Sequence, residues 1–361
     1  MKMEPIEKTS IIGQRIPKPD GPDKAVGRTT YINDMVLPMM LYGKILHAGR
    51  PHALIKSIDV TEAKALPGVH VILTGEDIPD LRFGVNRDNM PLKAGKVRCV
   101  RDEVAAVAAE SEEICDQAVA LIKVEYEDLP GVFDPAEALK EGAPVVHDEK
   151  PDNKSLAFKF DHGDVTEAEK ESDVILDDVF NVHYVTHVCM GTGCVLADYD
   201  PNGKLTIYSQ TQYPYNFKMD LAPALDIHPG DIRVIQPPVG GAFGSKLDVY
   251  PFEPVCALLA KAALRPVKLM FNREEEFINA PTRQPVNIRI RTGAKADGTL
   301  TFRDTDCLLN NGAYTSWGPT VPFVMMRTFT SHYRVPTVKC RFQSAYTNNP
   351  YAGSFRGYGN V

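Results

Sequence analysis

Apolar positions along this chain recur with two different periods, and the switches between them outline its elements. Leu41-Tyr42-Gly43-Lys44-Ile45-Leu46 and Ile55-Lys56-Ser57-Ile58-Asp59-Val60 read as strands. Thr61 to Leu66 reads as a short helix stopped by Pro67-Gly68, after which Val69 to Leu73 returns as a strand. Glu103 to Ala109 is an almost unbroken apolar run and reads as a buried strand. Ser111 then caps a helix whose positions Ile114, Ala118, Leu121 and Ile122 share one face, with Glu112 and Glu113 favourable at its N-terminus. Val124 to Glu127 closes this unit as a strand.

The pattern divides the chain. Residues 1–22 carry Gly13, Pro17, Pro19, Gly21 and Pro22 and read as an extended lead-in. Residues 23–132 form one small α+β domain. Residues 133–156 are polar, hold Pro135, Pro144 and Pro151 with a weak helix between, and read as a linker. Residues 157–361 form a larger unit of mixed α+β character. It holds strands at Lys204–Ser209, Ile232–Ile235 and Val267–Phe271 and an apolar helix from Glu253 to Leu264. A long hairpin pairs Val286–Arg291 with Leu300–Asp306 around the turn signal Asp297-Gly298. The chain then stops inside a glycine-rich loop, Gly353 to Val361, so more of this unit is expected, on the same polypeptide or on a partner.

Composition narrows the classes. The 361 residues include 40 Lys and Arg against 47 Asp and Glu, a formal charge of −7. Without a basic run there is no electrostatic footprint for nucleic acid or an anionic membrane. No stretch approaches a membrane span of roughly 18 apolar residues. Met1 to Lys8 is charged with no apolar run behind it, so no secretory signal is expected. The seven cysteines (99, 115, 189, 194, 256, 307 and 340) form no C-x-x-C pair and read as buried thiols of a cytoplasmic protein. Iron–sulfur centres, if needed, belong to another chain.

Three loops could carry chemistry. Pro237-Pro238-Val239-Gly240-Gly241-Ala242-Phe243-Gly244-Ser245-Lys246 follows a strand, and its glycines let backbone N–H groups approach an anionic or polar ligand. Its spacing is neither a P-loop nor G-x-G-x-x-G. Ser209-Gln210-Thr211-Gln212-Tyr213-Pro214 ends a strand, and Gln212 offers a neutral amide able to donate without adding charge. The closing loop places Arg356 and Tyr358 among glycines, suited to an anion and to a planar ligand. Each loop alone would pass for a structural turn.

Together, in this order and spacing, they resemble the molybdenum-binding subunit of the xanthine dehydrogenase and aldehyde oxidase family of molybdenum hydroxylases. The likeness runs from about Gly21 to Val361 and includes Asp23 to Tyr31, Asp102 to Glu110, Thr211-Gln212, Gly240 to Gly244, Asn311 to Tyr314 and Ser354 to Gly359. It implies an N-terminal α/β hammerhead domain followed by an incomplete mixed α+β molybdopterin-binding domain. It further implies a molybdenum pterin, as the cytosine dinucleotide, with no side chain ligating the metal. By the same likeness Gln212, Gly241, Ala242, Phe243, Gly244 and Arg356 bind the cofactor. Tyr358, Arg327 and the Leu247 position fall to the substrate side. The implied reaction oxidises an aromatic heterocycle or aldehyde with oxygen from water, and its general-base Glu is expected on a later segment, leaving no catalytic residue in this chain. Partners implied are an iron–sulfur subunit, an FAD subunit and a second molybdopterin-domain subunit.

Departures qualify the likeness. Leu247 stands where xanthine-oxidising relatives place a carboxylate, although Asp248 is adjacent. Met190-Gly191-Thr192 lacks a usual Glu, Ala242 replaces a usual Gly and needs a negative φ, and Tyr358 adds a hydroxyl that needs a partner. Two alternatives stay open: a reductive dehydroxylase of the 4-hydroxybenzoyl-CoA reductase type, and a non-catalytic, degenerate paralogue. The copper-dependent carbon monoxide dehydrogenases are disfavoured, because Tyr351 to Arg356 lacks their active-site cysteine.

Overall fold

A computed structural model of the protein describes residues 9–360, so the reading of Met1 to Lys8 falls outside the described residues. The strands of the two units meet in one seven-stranded sheet. Its order is Ile232–Ile235, Leu205–Ser209, Cys194–Tyr199, Val267–Met270, Leu41–His47, Glu103–Ala109 and Val69–Thr74. The seam is Leu41–His47 running parallel to Val267–Met270, with Leu41 opposite Val267. There the Leu41 N–H donates to the Pro266 carbonyl at 2.8 Å.

Both faces of this sheet are covered, which is why Glu103–Ala109 reads as a continuous apolar run. Ala106 and Ala108 face the large core built with the helices Pro214–Leu225 and Phe252–Ala263. Ala105, Val107 and Ala109 face Cys115 and Ala118 on the helix Glu112–Leu121. That helix starts where Ser111 accepts the Ile114 N–H at 3.3 Å, satisfying an otherwise orphaned donor. A three-stranded sheet, Lys96–Val97, Ala53–Asp59 and Lys123–Asp128, completes the front unit.

The second unit adds a five-stranded sheet in the order Lys154–His162, Thr337–Tyr346, Leu300–Gly312, Val286–Ala294 and Val174–Val182. Leu300–Gly312 and Thr337–Tyr346 run parallel, and the helix Val321–Ser331 lies on their crossover with Val321 and Met325 in the core. The expected hairpin forms and its turn centres on Gly298, at φ +87°. Residues 133–156 are not a loose connector. They fold as a strap whose Val146 and Ala138 pack on Ala345 and Tyr346, with the Asn153 side chain bonding Val146, Ala138 and Pro144.

Charged groups are buried where the front unit docks. Lys93 and Glu103 pair at 2.7 Å, each only 3% exposed, and Lys93 also donates to Asn89 and to the Met90 carbonyl. The Arg101 guanidinium lies 3.4 Å over the ring of Tyr351, and Asp102 accepts the Tyr314 hydroxyl at 2.7 Å. Breaking a buried pair on one side strands a charge at a cost of about 3–5 kcal/mol, whereas replacing both partners with apolar groups is far milder. We therefore expect Lys93→Met to lower the urea midpoint sharply and Lys93→Met with Glu103→Leu to recover most of the loss. Equal losses in both would show that the two charges are not coupled.

Candidate functional site

Strand direction gathers the loops. Leu205–Ser209 and Ile232–Ile235 are parallel neighbours, so the segment after Ser209 and the loop after Ile235 leave the same end of the sheet. The closing loop arrives there by another route. Thr282–Arg283 pairs in parallel with Ala352–Gly353, Thr186 bridges to Thr282, and His187 Nε2 lies 2.8 Å from the Ser354 carbonyl.

Direct bonds join the three loops. The Gly244 N–H donates to Gln212 Oε1 at 3.0 Å, and the Gln212 N–H donates to the Lys246 carbonyl at 2.8 Å. The Arg356 N–H donates to the Phe243 carbonyl at 2.9 Å. Gly244 adopts φ +105°, and a Cβ there would stand 2.8 Å from the Ser354 carbonyl oxygen, so only glycine fits between the loops. Phe243 is held at φ +53°, rare for a bulky side chain, with its ring exposed. Ala242 is absent from the positive-φ residues, the condition under which alanine is tolerated.

This folding leaves donors free. The amide N–H groups of Gly241, Ala242 and Phe243 have no hydrogen-bond partner among the described residues. Because Oε1 of Gln212 is taken by Gly244, its NH2 group is the end left to donate. A run of free amides is a nest for anionic or oxo ligands. No group of three or more His, Cys, Asp or Glu that could hold a metal occurs among the described residues. The donor set fits a pterin-held molybdenum, whose oxygens need donors and whose metal needs no side-chain ligand.

A fourth segment, beneath the glycine loop, is only partly legible in the sequence. Gly191 donates its N–H to the Gly240 carbonyl at 2.9 Å, and a Cβ on either glycine would come within about 3 Å of the other's Cα. Lys246 Nζ donates to the Gly191 carbonyl at 2.9 Å, and Arg273 clamps the Cys189 and Met190 carbonyls at 2.8 Å each. Glu276 accepts the Gly193 N–H at 2.7 Å. Nothing local in the sequence marks Arg273 or Glu276 as supports of this loop.

The remaining expected residues separate. Tyr358, at φ +46°, ties its hydroxyl to Thr320 Oγ1 and to the Trp317 carbonyl, so the added hydroxyl is satisfied. Leu247 is half-buried behind Lys246. Arg327 sits on the exposed side of the helix Val321–Ser331, and no hydrogen bond joins its side chain to the three loops among the described residues. All seven cysteines are free and buried.

Two carboxyls lie under the loop. Glu253 accepts from Ser209 Oγ at 2.7 Å and the Tyr250 N–H at 3.0 Å, and burial pushes it up to about 8. Asp248 accepts from Ser316 Oγ and the Val249 N–H, and burial pushes it up to about 7. Burial also pushes the Lys246 ammonium down.

Comparisons with known proteins show what the chain is similar to. Residues 26–130 match the family model described as aldehyde oxidase and xanthine dehydrogenase, a/b hammerhead domain, and residues 146–361 that described as molybdopterin cofactor-binding domain. The chain is 38% identical over 346 residues to a probable xanthine dehydrogenase subunit of Bacillus subtilis, covering 95% of the chain and 46% of that protein. It is 34% identical over 351 residues to the nicotinate dehydrogenase large molybdopterin subunit of Eubacterium barkeri, covering 97% and 82%. Quinoline 2-oxidoreductase from Pseudomonas putida superposes with a TM-score of 0.92 at 30% identity, over 98% of the chain and 46% of that structure. Aldehyde oxidoreductase from Desulfovibrio gigas gives 0.91 at 27%, over 95% and 39%. The chain thus spans less than half the length of the Bacillus relative and of both structures.

The carboxyls under the loop set a pH dependence. The folded chain keeps the Glu253 proton well above pH 4.3, about where an unfolded Glu loses it. Its contribution is therefore full below about pH 4 and is lost as pH rises through about 8. Glu253→Gln, which mimics the protonated acid, should lose less urea stability than the natural chain between about pH 6 and about pH 9. Comparing the two cancels the buried histidines, which run the other way. Parallel curves would show Glu253 ionised in the fold.

Proposed function

The chain belongs to the aldehyde oxidase and xanthine dehydrogenase family, and we propose that it is the molybdopterin-binding part of a hydroxylase that oxidises an aromatic heterocycle or aldehyde. The observation that carries this reading is the meeting of Gln212, Gly241 to Gly244 and Arg356 around free backbone donors. When bound, the molybdenum–pterin group would supply two-electron oxidation of a substrate carbon, with water as the source of oxygen. The amides of Gly241, Ala242 and Phe243 would donate to it, and Gln212 would donate through Nε2, an orientation set by the bond its Oε1 accepts from Gly244. Phe243 shields the donors, its exposed ring held out by a left-handed backbone. Arg356 adds a positive charge beside the loop. We assign no general base to this chain: Glu253 and Asp248 are engaged beneath the loop.

The cytosine dinucleotide form of the pterin, an iron–sulfur and an FAD partner, a second molybdopterin-domain subunit and a cytoplasmic setting complete the proposal. Its support is the family membership and the names of the similar relatives, which describe subunits of larger enzymes. Among the described residues no helix is long and apolar enough to cross a membrane. Gly191 does not argue for a degenerate paralogue, because its close approach to Gly240 leaves no room for a side chain.

The test is metal and pterin analysis of the purified chain with the subunits that copurify. Molybdenum and a pterin nucleotide are expected in near-equal amounts. Gly244→Ala, which must part the loops, should lower both by about tenfold or more while the urea midpoint of the chain changes far less. A folded natural chain without pterin would overturn the proposal.

A further inference from the structure

A cavity of about 330 Å³ lies between residues 82–87 of the front unit and the helix Pro214–Leu225 of the second. It adjoins the loops described above. Tyr213, next to Gln212, meets Trp317 of the cavity wall edge-on with ring centroids 6.3 Å apart, and Tyr358 bonds the Trp317 carbonyl at 3.1 Å.

The front loop is pinned on both sides of Arg87. Asn86 Nδ2 donates to Thr315 Oγ1 at 3.1 Å and to the Tyr346 hydroxyl at 3.0 Å. Asp88 accepts the Thr315 N–H at 3.0 Å and the Tyr346 hydroxyl at 2.8 Å. Between these anchors Arg87 is held at φ +51°, a conformation long side chains rarely take and one that gathers at binding sites.

The charges lining the cavity are unequally satisfied. Arg82 is paired with Asp80 and Glu149. Asp220 accepts the Tyr213 hydroxyl at 3.2 Å, and Asp248 accepts from Ser316 and Val249. The Arg87 guanidinium has neither a hydrogen bond nor an ion pair among the described residues. An unpaired guanidinium presents a two-pronged fork that matches a carboxylate. On the same cavity wall, Trp317 offers the aromatic surface that a flat ring prefers.

We propose that this cavity binds a small aromatic or heteroaromatic carboxylate, the carboxylate on Arg87 and the ring against Trp317, and so selects anionic substrates for the adjoining site. The fate of the ligand rests on the function proposed above, but its binding needs no molybdenum. Trp317 is the chain's single tryptophan, so its fluorescence reports this cavity directly. Titrating the full chain with pyridine-3-carboxylate should quench it saturably, with pyridine-3-carboxamide about tenfold or more weaker. Arg87→Gln should weaken the carboxylate about tenfold and leave the carboxamide unchanged, while Arg87→Lys retains part of the preference. Equal affinity for the two probes, no effect of Arg87→Gln, or no quenching would overturn the inference. Quenching by the carboxylate in a chain that holds no pterin would uphold this site and sink the proposed function instead.

Discussion

The site depends on one crowded peptide. The unit Phe243–Gly244 accepts Arg356 through its carbonyl and donates to Gln212 through its N–H, so three distant segments are fastened at a single backbone bond. That double engagement forces φ into the left-handed region at Phe243 and at Gly244. The preceding amides, of Gly241, Ala242 and Phe243, are left with nothing of their own to bind among the described residues. Their free state follows from the same geometry that closes the loops, and the capacity to hold a polar ligand is its by-product.

The rest of the fold serves to deliver those segments to that point. Parallel strands bring two of them to one end of a sheet, and the short pairing of Thr282–Arg283 with Ala352–Gly353 delivers the third. Beneath them, carbonyls of the Cys189 segment are held by Arg273 and Lys246, positive groups that satisfy exposed acceptors without occupying the open side. The front unit contributes through a buried contact, Arg101 on Tyr351, only a few residues before the closing loop.

Much of this is legible where local pattern and tertiary role coincide. Ile232–Ile235 and Glu103–Ala109 appear with the bounds their apolar runs suggest. The strand Val174–Val182 escapes sequence reasoning, because Asp177 and Asp178 interrupt its alternation and its apolar residues lie exposed at the edge of its sheet. The helix Pro214–Leu225 escapes it too, since Pro214 starts it and Pro223 lies inside it. Within the site, Gln212 is recognisable by family likeness, but its bond to Gly244 spans 32 residues and has no local signature. Glu253 looks in sequence like an acidic residue suited to a helix start; only the packed sheet above reveals a buried acid. Arg327 is an attractive cation in sequence and faces away on its helix.

The shared sheet has an evolutionary corollary. Two separately recognised sequence families meet at residues 130–146, yet hydrogen bonding crosses from Leu41–His47 to Val267–Met270 far from that junction. Exchange of front portions between relatives is thus constrained by strand register rather than by the boundary. A donor segment would have to carry a compatible partner for Val267, or the hybrid would be left with two raw sheet edges in place of a continuous one.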